Sequence, residues 1–467
     1  MTFSRVNSFF RLLKTALKGD EQDYTSLGID KAIFLLSVPM ILEMLMESVF
    51  AVVDVFYVSL LNDNDAVATI GLTESVLTIV YSIAIGLSMG ATAMVARRVG
   101  EKDIPAARVA AMQAIYIGLA FSIVVSMAGI FFSGDILRLM GASEMLIERN
   151  LGYTRWMFTG NITIMLLFLI NAIFRGAGDA SLAMRSLILA NGLNIVLDPL
   201  FIFGFGPIPA MGVEGAAIAT NIGRGIGVLY QLYHLIGGKR VIRLGIKHLA
   251  VKWDIIVRLL KVSAGGTGQF LIASASWVFL VRIMSTFGSP AVAGYTIAIR
   301  LIVFAILPAW GMANASATLV GQNLGAGFPD RAEKSVWRTA FLNMLFLGMV
   351  TIIFVLFARP LLSLFTQDDE VLRNGILCLK IVSLGYVFYA YGMVVSQSFN
   401  GAGDTRTPTL INFFGFWLFQ IPLAYFLALH MDVGTPGVYA AISIAESAIA
   451  IAGILIFRQG KWKTVKI

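Results

Sequence analysis

Gly176-Ala177-Gly178-Asp179 returns as Gly401-Ala402-Gly403-Asp404, and 401 − 176 = 225. Gly86, which opens GLSMGATAMVARRVGEK, and Gly311, which opens GMANASATLVGQNLGAG, stand the same distance apart. So do Ala66-Val67-Ala68 and Ala291-Val292-Ala293. Landmarks this widely spread keep one offset only if the chain is a duplicated unit. A duplication restricts the fold before any motif is read.

Composition then decides the solvent. The chain of 467 residues is 58% hydrophobic and 13% charged, with mean hydropathy +0.83. A soluble domain is nearer half apolar and a quarter charged. Apolar runs recur along nearly the whole length, and about 20 apolar residues cross a hydrocarbon core. Periodicity predicts about twelve spans, at 31–60, 66–97, 105–132, 146–172, 178–204, 213–237, 255–287, 291–322, 331–357, 370–399, 405–430 and 435–457. The expectation is an all-α polytopic membrane protein with twelve transmembrane helices in two pseudo-symmetric six-helix lobes. Residues 1–30 precede the first lobe (31–237). A linker (238–254) joins it to the second lobe (255–457), and a tail (458–467) follows. Six spans per repeat is an even number, so the repeats run parallel, and the default place for a substrate is the cavity between them.

The net charge of +8 is sorted by loop, which argues against nucleic acid as its reason. Arg5, Arg11, Lys14 and Lys18 precede the first span; Arg97, Arg98, Lys102 and Arg108 surround the second connection. Lys239, Arg240, Arg243, Lys247 and Lys252 fill the linker, Arg331 and Lys334 follow span eight, and Lys461, Lys463 and Lys466 lie in the tail. The alternate connections at 62–65, 204–212, 288–290 and 431–436 have no Lys or Arg. The positive-inside rule places both termini in the cytoplasm. Phe3, Val6, Phe10, Leu13 and Leu17 recur at helical spacing among basic residues, which predicts a short interfacial helix. Cys378 is alone in an apolar span and reads as a buried small hydrophobe.

Carboxylates inside spans are costly and so are functional candidates. Glu43, Glu47 and Asp54 share one face of span one, and Asn194 and Asp198 share one face of span five. Two carboxylates and an amide in one lobe suit a proton or a hard monovalent cation. A structural reading stands beside this one: Asp54 caps a helix end, and Asp198 before Pro199 ends a span. Met44 and Asn191 join Glu43 and Glu47 as candidates for lining the cavity. The second lobe has lost the cluster: at offset 225, Asn194 and Asp198 are answered by Phe419 and Leu423. Glu446 and Arg282 remain there, as a structural pair, a snorkelling side chain or a site. Arg97-Arg98 and Arg175 read as anchors at the inner face. The histidines His234, His248 and His430 lack ligand spacing, which argues against zinc. No nucleophile elbow, metalloprotease helix or Walker loop is present, so neither an enzyme nor a nucleotide-driven pump is expected.

These segments, taken in order, resemble the multidrug and toxic compound extrusion (MATE) family, in its DinF-like branch. They are Pro39 followed by Asp54 in VVDVFYVSLL; GATAMVARRVGEKD from Gly90; FRGAGD at 174–179; GVEGAAIAT at 212–220; SATLVGQNLGAG at 316–327; and FNGAGDTRTP at 399–408. The resemblance implies a cavity that opens alternately to each side of the cytoplasmic (inner) membrane. It also implies exchange of Na⁺ or H⁺ for organic, often cationic and amphipathic, compounds. Its first-lobe ion pattern falls on Asp54, Asn194, Asp198 and Thr220, while the NorM-like acids of spans seven and ten are absent. No cofactor is expected beyond the coupling ion. The expected partners are a small organic substrate and membrane lipids, with no nucleic acid or nucleotide, and the expected unit is a monomer. The other readings are a flippase for a lipid-linked sugar and, from another class, a membrane-embedded enzyme or receptor.

Overall fold

A computed structural model describes residues 3–19, 22–61, 63–237 and 240–467. Asn62 and Lys239, read above as loop residues, lie outside the described residues, as do the side chains of Phe3, Arg5 and Val6. The helices are α1 (Phe3–Lys18), α2 (Ile29–Ser59), α3 (Asn64–Gly100), α4 (Ile104–Leu139), α5 (Glu144–Thr159), α6 (Asn161–Ala177), α7 (Ala180–Phe203) and α8 (Gly212–Gly237). The second half holds α9 (Trp253–Ser285), α10 (Ser289–Gly325), α11 (Pro329–Ser363), α12 (Asp369–Leu384), α13 (Tyr386–Ala402), α14 (Arg406–Asn412), α15 (Ile421–Tyr425) and α16 (Thr435–Arg458).

Among the described residues, ten stretches are long and apolar enough to cross a membrane alone. They include 144–177, which α5 and α6 form together, and 406–430, which runs from α14 through α15. The pair α12 and α13, bent by 58° at Gly385, makes an eleventh. The twelfth expected span is α8, which is less apolar because it carries Glu214, Asn221, Arg224 and Gln231. It is sheltered by packing on α7 and α5. Both copies of the repeated GAGD end a helix the same way. Gly178 and Gly403 take φ of 90° and 88°, a left-handed turn open to glycine, and Asp179 then caps α7 by accepting from the Leu182 N–H.

The lobes meet at the end where the Lys and Arg loops gather, here the basic face. There α3 packs on α9 and α10 packs on α2, a crossing repeated by the pseudo-symmetry. The repeat-related glycines allow it. A Cβ on Gly311 would stand 2.5 Å from the Met40 carbonyl oxygen, and one on Gly86 would strike the backbone of Thr267. Arg97 is buried at this junction rather than anchored in headgroups: it donates to the carbonyls of Ala402 (3.3 Å) and Val465 (2.9 Å). Gln322 donates to the Gly176 carbonyl at 3.0 Å, and Thr318 to that of Arg175 at 3.2 Å. Hydrogen bonds and glycine crossings between lobes are confined to this half among the described residues, so the lobes separate toward the other face. The segment before α2 seals the same end, since Arg185 donates to the Leu17 and Lys18 carbonyls at 2.6 and 2.7 Å.

Candidate functional site

On α7, a residue and its fourth successor point the same way. Asn194 and Asp198 are both buried there. α8 lies against that face and brings in buried Thr220. The Asn194 Nδ2 donates to Asp198 Oδ1 and to Thr220 Oγ1, both at 3.1 Å. This fixes the amide orientation and turns its oxygen outward from the pair. Asn194 Oδ1 and Asp198 Oδ2 are then buried oxygens with no hydrogen-bond partner. α2 packs along α7, and Asp54 on it comes close enough to Asp198 for the two charges to interact. Asn194, Asp198 and Thr220 are thus joined by hydrogen bonds, with Asp54 within charge range of Asp198 on the neighbouring helix. The set is oxygen-only, which matches a hard cation or a proton and not a soft, thiolate- or imidazole-seeking metal. Among the described residues no three His, Cys, Asp or Glu side chains gather as a metal centre.

At the apex of the cleft lies a cavity of about 250 Å³, walled by both lobes. Glu43, Met44 and Glu47 line it from α2. Asn191, also expected there, stands behind the wall and donates to Glu47 Oε2 at 2.9 Å. Arg175 turns inward and meets Glu43 Oε1 at 2.5 Å, with their side chains 11% and 2% exposed. It is a buried partner, not the surface anchor the sequence suggested. Asn171 adds a donor to Glu43 at 3.2 Å, and Gln231 holds the Asn171 oxygen at 2.7 Å. Glu43 and Arg175 therefore cancel at the apex, while Glu47, the third charged side chain of its lining, meets only the neutral Asn191 amide among the described residues.

The MatE family model matches residues 39–200 and 267–426, once in each half. The chain belongs to the MatE family. These proteins are transporters, not enzymes, and this chain is an integral multi-pass membrane protein. It is 28% identical over 437 residues to the probable multidrug resistance protein NorM of Thermotoga maritima, covering 93% of each chain. It is 26% identical to the FAD transporter of Shewanella oneidensis, covering 93% of this chain and 95% of that one. A solved outward-facing multidrug resistance MATE family transporter superposes with a TM-score of 0.89 at 27% identity, over 94% of this chain and 98% of that one.

Within this MatE chain, sequence reasoning passed over Arg224. It sits on α8 four residues after Thr220 and is buried. Its Nη1 donates to the Tyr81 hydroxyl at 3.1 Å, and its guanidinium lies 5.5 Å from the centre of the Phe50 ring. The charges of Glu47 and Asp54 reach it. An arginine at mid-span was the available signal. The first lobe of this MatE protein thus sets a resident cation near Asp54 and Glu47.

Proposed function

We propose that the chain is a cation-coupled antiporter that exports organic, cationic and amphipathic compounds across the cytoplasmic membrane by alternating access. The observation carrying this reading is the pair of unpartnered buried oxygens, Asn194 Oδ1 and Asp198 Oδ2, beside Asp54. A buried acceptor without a donor is costly, and Na⁺ or H⁺ arriving from outside relieves that cost. Occupation removes one of the two negative charges of the Asp54–Asp198 pair, which alters the packing of α2 on α7. Pro39 gives α2 a place to bend, because it lacks the amide donor of an interior turn. The basic face is read as cytoplasmic from its charge, so the lobe arrangement corresponds to a cleft open outward. The likeness to the T. maritima probable multidrug resistance protein supports the substrate class. A lipid-diphosphate flippase fits less well, because Arg175 at the apex is already taken by Glu43.

The test is efflux of ethidium from vesicles with a Na⁺ or a proton gradient imposed separately. Asp198→Asn and Asp54→Asn should each abolish gradient-driven efflux. Wild-type efflux by both variants would end the proposal.

A further inference from the structure

The cluster and apex above leave one half-buried mid-span acid unused. Glu446 sits at the middle of α16, whereas Asp254, Asp330, Asp369 and Glu370 of the second lobe lie in the first turns of their helices and Glu333 in the second turn of α11. Arg282, the partner weighed from the sequence, forms no ion pair with it, and no hydrogen bond ties Glu446 to the protein among the described residues. It faces a partly open cavity of about 480 Å³ walled mostly by the second lobe, with Met89 of the first lobe on its rim. Five rings stand around that cavity, those of Phe270, Trp277, Trp310, Tyr389 and Phe416. Phe270 and Trp310 pack with centroids 5.3 Å apart, so these walls brace each other. Phe270, Trp310 and Met89 also line the apex cavity, so the two spaces are neighbours.

We propose that the organic cation binds in this second-lobe cavity, with Glu446 as its counter-charge and the aromatic walls as its cage, on the lobe opposite the coupling ion. An unpaired carboxylate at mid-membrane depth is expensive without a counter-ion. Aromatic faces attract a cation through their quadrupoles, most strongly for quaternary ammonium and similar poorly hydrated charges. A planar or bulky lipophilic cation meets both features at once, whereas a small hard ion would gain nothing from the rings. Sodium or a proton meets its oxygens in the other lobe, at Asp198 and Asn194. Ion and drug therefore do not contend for one carboxylate. Each biases the rocking of the lobes from its own side, and exchange is coupled through that shared equilibrium.

This inference rests on the organic-cation reading above, and the experiment separates the two. Ethidium binding to the purified full-length protein is measured by fluorescence anisotropy for wild type, Glu446→Gln, Glu446→Asp, Trp277→Leu and Asp198→Asn. Wild type should bind ethidium. Glu446→Gln should raise its Kd by about tenfold or more, the scale of one buried charge contact. Glu446→Asp should raise it less, and Trp277→Leu by about threefold to tenfold. Asp198→Asn should lose gradient-driven efflux, and its ethidium affinity should change less than that of Glu446→Gln, through the shared equilibrium alone. Should Glu446→Gln fail to fold, Glu446→Asp and Trp277→Leu decide the matter. Wild-type affinity in the folded Glu446 and Trp277 variants overturns the inference and leaves organic-cation export standing. So does a tenfold loss of ethidium binding confined to Asp198→Asn. Failure of wild type to bind or export ethidium overturns both.

Discussion

Arg175→Met should unfold this protein more readily than removing both Arg175 and Glu43. The pair lies between α2 and α6 with the carboxylate only 2% exposed. Water therefore cannot take over when the guanidinium goes. Asn171 would remain as a single neutral donor at 3.2 Å, and Glu43 Oε2 has no partner even now. Breaking a buried ion pair from one side costs about 3–5 kcal/mol, or roughly 150- to 5,000-fold in the folding equilibrium. Glu43→Leu alone should cost less, because Arg175 is 11% exposed and borders the cavity. The double variant Glu43→Leu/Arg175→Met leaves only the Asn171 N–H unpaired, a loss of about 1–2 kcal/mol. The Asn171 oxygen keeps its bond to Gln231. SDS titration in mixed micelles, read by tryptophan fluorescence, gives the four stabilities of the cycle. A coupling energy below about 1 kcal/mol, or a double variant no better than Arg175→Met, would refute the reasoning.

Two further perturbations act on other parts. Gly311→Val places branched carbons where a Cβ already stands 2.5 Å from the Met40 carbonyl; overpacking of about 1–3 kcal/mol should open the basic face. A cysteine introduced at Ala317 in a Cys378→Ala background should then react faster with a polar maleimide added from that side, and an unchanged rate would speak against the crossing as the closed gate. Arg224→Met removes the resident cation facing Asp54 and Glu47. A unit charge in such a setting is worth roughly 1–2 kcal/mol, so the affinity of the first lobe for the coupling ion should rise about tenfold. A Na⁺ or proton affinity equal to wild type, measured by titration calorimetry, would remove Arg224 from the ion balance.

The primary structure determined the medium, the duplication, the number of spans and the place of the first-lobe polar residues along their helices. Each of these is written in short-range order: apolar runs long enough for a bilayer, loops sorted by charge, Asn194 and Asp198 one helical turn apart. It also showed that Glu446 is the lone mid-span acid of its lobe, but not what it faces. Span ten, read as one stretch, folds as α12 and α13 with a bend at Gly385, a difference that apolarity does not register. Only the tertiary structure decided which charges cancel. Glu43 meets Arg175 across 132 residues of chain, Arg224 turns to Tyr81 across 143, and Glu446 finds an aromatic cavity instead of Arg282. The physical reason lies in the solvent. In water, an apolar stripe tells which side of a helix faces the core. In a bilayer the lipid is as apolar as the core, so the inward face of each span emerges only when the helices are packed together.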